Sequence, residues 1–82
     1  MKIMRVKIYR FYKMDDKYNT YRLICPIDVT EKQVDKWINN EKGCVFIYEI
    51  EKNINEGSLA FSKIEEKGYW ITIDRIGLTV SK

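Results

Sequence analysis

The sequence predicts a small α+β domain. It is a mostly antiparallel sheet of four to five strands with one helix packed on one face, in the order ββαβββ. Three observations carry this expectation. Several runs rich in Ile, Val, Tyr and Phe alternate apolar with polar residues, the period of half-buried strands. One segment, DVTEKQVDKWINNEKG, has the capping and spacing of an amphipathic helix instead. Eighty-two residues suffice for one domain, 1–82, and leave no room for a second.

The first strand is read over 2–12 (KIMRVKIYRFY), with Met4, Val6 and Ile8 on one side and Arg5, Lys7, Tyr9 and Phe11 on the other. The polar run MDDKYNT supplies a loop, and TYRLICPI (20–27) returns as the second strand of a hairpin. Pro26 cannot donate a ladder hydrogen bond, so this strand either lies at an edge or stops there. In the helical segment, Thr30 and Gln33 match a capping box. Val29 and Val34 match a hydrophobic staple, and Val34, Trp37 and Ile38 form an apolar stripe. Gly43 is the expected stop.

CVFIYEIEK (44–52) reads as the third strand, with Cys44, Phe46, Tyr48 and Ile50 inward. SLAFSKIEE can be read two ways. As a helix it would run from Ser58 to Gly68, but Glu65 and Glu66 would oppose the dipole in its last turn, so a strand is favoured. GYWITID (68–74) is a strand with Tyr69, Ile71 and Ile73 on one face and Trp70, Thr72 and Asp74 on the other. The tail RIGLTV alternates as a short final strand. The third strand is expected beyond the first, antiparallel to it, so that the first strand is central.

Charge is unevenly placed. Residues 1–25 hold seven basic and two acidic residues, whereas residues 41–66 hold three basic and six acidic. The net charge of +3 is therefore a dipole rather than a uniform basic coat. No secretory signal or long apolar run is evident, so a cytoplasmic protein without membrane contact is expected. Cys25 and Cys44 sit in apolar runs, and a reducing compartment disfavours a disulfide between them. Lys, Ile, Asn and Tyr make up 34 residues and Ala occurs once, a usage that points to an A/T-rich genome such as that of a phage or mobile element.

The chemistry needed by most enzymes is missing. There is no His, hence no common general base and no common nitrogen ligand for a metal. Two cysteines alone do not complete a zinc site, and no glycine-rich phosphate loop occurs. The pairs Asp15/Asp16 and Glu49/Glu51 read as a turn and a solvated strand face. The expectation is a non-enzyme with no cofactor and no metal.

The remaining question concerns the side of the sheet opposite the helix. Counting by parity, it would carry Arg5, Lys7, Tyr9, Phe11, Arg22, Ile24, Ile47 and Trp70, and these are the candidate binding residues. Aromatic and basic residues together suit a single-stranded nucleic acid. However, Glu49 and Glu51 would lie beside Arg5 and Lys7 and cancel much of the field that phosphates need. An apolar centre with aromatic and Arg residues around it suits a protein interface better. The expected function is thus a small inhibitor-like binding protein of a phage or mobile element. Its partner would be a host factor, such as a component of a defence system, or a second copy in a homodimer. A nucleic-acid binder or a nucleotide-ligand sponge is the alternative.

Overall fold

In the computed structural model, residues 2–38 and 43–75 are described, with backbone alone at residues 17, 18, 74 and 75. The chain forms β1 (Ile3–Lys13), β2 (Asp16–Pro26), α1 (Glu31–Ile38), β3 (Cys44–Asn55), α2 (Leu59–Lys67) and β4 (Trp70–Arg75). One antiparallel sheet has the order β3-β1-β2-β4. The α+β class, the central first strand and the flanking third strand are as the sequence predicts. The order ββαβββ with a single helix is not, because residues 59–67 are helical.

The physical reason lies at the two ends of α2. The Ser58 hydroxyl accepts a hydrogen bond from the Phe61 amide at 3.2 Å, and Gly68 closes the helix at φ 91° with its amide on the Ile64 carbonyl. A cap of this kind contributes about 1 kcal/mol. Burial of Phe61 and Ile64 on one face adds about 1.5–3 kcal/mol each. Two glutamates at the wrong end of the dipole cost only about 0.3–1 kcal/mol each. Burial wins, and the strand reading gave the dipole too much weight.

α1 begins as its sequence indicates: the Gln33 amide donates to Thr30 Oγ1 at 3.2 Å, and Val34 is buried with Val29 packed nearby. The expected extension through residues 39–42 lies outside the described residues, as does the tail strand beyond Arg75. Gly43 adopts φ 82°, and a side chain there would meet Met14. The Met14 amide donates to the Gly43 carbonyl at 3.1 Å. The start of β3 is thereby pinned to the β1–β2 turn. That turn is tighter than the MDDKYNT run suggests, since Lys13 already pairs with Asp16.

The sheet has a helix on each face. α1 covers Tyr9, Phe11, Leu23 and Cys25. α2 covers Val6, Ile8 and Ile24, with Trp70 and Ile54 packed beside them. Four consecutive residues of β1, Val6 to Tyr9, are therefore buried, none more than 7% exposed. Among the described residues no helix is long and apolar enough to cross a membrane.

The two cysteines lie on the α1 side and are not joined in a disulfide. Burial pushes the Cys25 thiol up to about 11, against the opposing pull of the Lys7 ammonium. Burial also raises Cys44, which is less enclosed. A folded pKa above the unfolded value means that the stability gained is complete below the ordinary thiol range and is lost as pH rises through about 11. A disulfide-exchange reagent at about pH 8 is expected to label Cys44 first and Cys25 only at the rate of unfolding. Equal, rapid labelling of both would contradict this packing.

Candidate functional site

The predicted open face does not exist as one surface. Arg5, Lys7, Tyr9 and Phe11 point to the α1 side, and three of them are buried there. Their register partners on β2 are Cys25 for Lys7, Leu23 for Tyr9 and Tyr21 for Phe11. Arg22 and Ile24 pair with Arg10 and Ile8 and so belong to the α2 side, where Trp70 pairs with Ile24. Parity fixes the faces within one strand; the offset between strands decides which faces coincide. Trp70 does lie opposite α1, but it packs in the cluster under α2 and is half-buried.

Lys7 is accommodated in the interior by its polar neighbours. Its ammonium donates to the Val29 carbonyl just before α1 and lies 5.5 Å from the Tyr9 ring centroid. Burial alone would lower its pKa, but Tyr9, Cys25 and Glu49 outweigh that and hold it above the ordinary lysine value. Burial raises the Tyr9 phenol, whose hydroxyl is enclosed without an aligned hydrogen bond. Arg5 is the one exposed member of the four, and it meets Glu51 at 3.2 Å. Basic and acidic residues of β1 and β3 thus do face one another, as the sequence suggests for a solvated ladder.

The exposed apolar surface is elsewhere, on β3. This strand has 12 residues and, among the described residues, pairs only with β1. Among the described residues no second strand pairs along its outer side. Phe46, Ile47, Tyr48 and Ile50 are each between 38% and 49% exposed, which corrects their reading, Ile47 apart, as inward residues. A bulge also splits the faces they were read to share. Arg10 pairs with Tyr48 and Phe11 with Phe46, so Ile47 has no partner and the side-chain alternation shifts there. Phe46 consequently leans onto Tyr9 (5.7 Å) and Phe11 (6.1 Å) on the α1 side. Tyr48 turns to the other side, under Arg10 at 5.9 Å.

A groove of about 440 Å³ runs between α1 and this part of β3. Val34, Phe46, Ile47, Tyr48 and the Tyr9 ring line it, and Glu31, Asp35 and Glu49 are its charged residues. Among the described residues no group of three Cys, Asp or Glu side chains is arranged to hold a metal. Of the predicted residues, Tyr9 and Ile47 meet at this groove. Phe46, Tyr48, Glu31 and Asp35 were missed. The signal available was the uninterrupted apolar run CVFIY, which does not alternate as a half-buried strand should.

Comparison with known proteins finds no matching family model, no similar curated protein and no similar solved structure.

Proposed function

We propose that this chain is a non-enzymatic binding protein whose protein partner docks along the outer edge of β3 and the adjoining groove. One observation carries the reading: the first half of β3, a long strand with no neighbour on its outer side among the described residues, is uncharged and exposes three large apolar side chains, Phe46, Ile47 and Tyr48. Stable monomers protect such edges with charges, prolines or short length. The second half of β3 has that protection in Glu49, Glu51 and Lys52, and the first half lacks it. β4, the opposite edge, is only six residues long. Small size and A/T-rich residue usage support an accessory protein of a phage or mobile element, one that acts by occupying a host protein's surface. Nucleic acid is the weaker reading, because Lys7, Tyr9 and Phe11 are buried and Arg22 stands on the other face.

Photo-crosslinking in host extract tests the docking surface. A photoreactive residue in place of Ile47 should capture a protein that one in place of Ile73, exposed on β4, does not. Capture through position 73 alone would move the interface to the other edge.

A further inference from the structure

We infer that the segment held at this site is an extended, basic one. It adds as a strand to the outer edge of β3 and seats a lysine or arginine side chain between α1 and β3. The inference rests on the reading of the β3 edge as the docking surface and specifies what that surface takes.

Charge complementarity is the first argument. The chain as a whole is basic, at net +3, yet among the described residues the groove's charged lining is acidic: Glu31, Asp35 and Glu49. The buried Lys7 ammonium, which donates to the Val29 carbonyl, also couples to Glu49 and offsets part of that charge, one cation against three carboxylates. The groove therefore presents a local negative field on a positive molecule, which attracts a cationic segment and repels an acidic one.

The second argument is the wall chemistry. Tyr9 and Phe46 supply aromatic surface next to the carboxylates. A lysine or arginine lays its methylene stem along such surface and places its charge at the acidic margin. The carboxylates come from one helix and one strand and do not converge as a metal site does, so a long organic cation suits them better than a compact ion.

The third argument concerns the backbone. An unpaired edge offers alternating amide and carbonyl groups to an extended peptide, and alternate side chains of that peptide then fall toward the groove. A second copy of β3 is a poor occupant. The longest two-fold antiparallel pairings would be centred on Glu49 or Ile50 and would set Glu49 against itself or against Glu51. Like charges directly opposite are destabilising. Of the two partners expected from sequence, a host factor or a second copy, this edge therefore disfavours the second copy.

Two short β-branched probe peptides test the inference, one with arginine and one with glutamate at alternate positions. Each is titrated into ¹⁵N-labelled protein at about 50 and about 500 mM salt. The arginine peptide should shift the amides of residues 44–50 together with those of Glu31 and Asp35. It should bind about tenfold tighter than the glutamate peptide at low salt, with most of that advantage lost at high salt. Glu31→Gln combined with Glu49→Gln should bring the two affinities together while leaving the spectrum of the free protein folded. Equal binding of both peptides by the wild-type protein, or preference for the glutamate peptide, at the same β3 amides would overturn the basic-segment inference and leave the edge reading standing. No shift of the β3 amides by either peptide at millimolar concentration would overturn both.

Discussion

Phe11→Ala is expected to lower the free energy of unfolding by about 3–5 kcal/mol. A domain of this length has about 4–12 kcal/mol in total, so the variant should be marginal or unfolded at physiological temperature. Phe11 has no exposed surface, and its ring stacks on Tyr21 at 5.5 Å and tilts against Phe46 at 6.1 Å. Both neighbours belong to strands laddered to β1, and Leu23, Val34 and Ile38 share the cluster above them. Ladder hydrogen bonds restrain the backbone on either side, so the cavity left by the ring closes poorly, and the cost belongs at the high end of the range. Denaturant unfolding measures it directly. The result also discriminates between the two readings of β1. If Phe11 were a surface residue for stacking a nucleobase, as its alternation with Arg5 and Lys7 suggests, truncation would cost under about 0.5 kcal/mol.

That contrast shows what the sequence carried and what it did not. Thr30, Gln33 and Val34 specify their helix start locally, because a cap needs only residues three and four apart. The central position of β1 follows from connection rules that need only element order. The faces of β1 are different. A strand buried on both sides can still alternate when one side sets Phe11 beside Tyr9 and the stem of Lys7, since the last two have polar ends on apolar bodies. Only a second helix on the far side distinguishes the cases, and α2 was the element misread. Its Ser58 and Gly68 boundaries were visible, but the burial of Phe61 and Ile64 that offsets Glu65 and Glu66 is tertiary. The groove depended on two further non-local facts: the β1–β2 register, which sends Arg22 and Ile24 to the other face, and the bulge that isolates Ile47.

Ile47→Lys is expected to weaken capture of the protein partner by about 2 kcal/mol or more, roughly thirty-fold, if docking follows the β3 edge. Its effect on the melting temperature should be small. Ile47 is about half exposed, has no cross-strand partner and sits at the bulge beside the groove. No ladder pair is lost when it is replaced, and the buried clusters under α1 and α2 do not include it. The new ammonium lies among Glu31, Asp35 and Glu49, so the folded protein tolerates the charge, and surface changes of this kind alter stability by less than about 0.5 kcal/mol. Docking is affected twice. An apolar contact at the exposed edge is lost, and the acidic groove gains an internal cation that competes with an incoming lysine or arginine. Ile47→Gln separates these effects, since it removes the apolar contact without supplying the cation and should weaken binding less than Ile47→Lys. Thermal melting and affinity measured on the same preparations decide the matter. A large fall in melting temperature with unchanged affinity would make Ile47 a structural residue and move the interface off β3. Unchanged melting with a graded loss from Ile47→Gln to Ile47→Lys is the pattern that an acidic edge groove reading a basic strand requires.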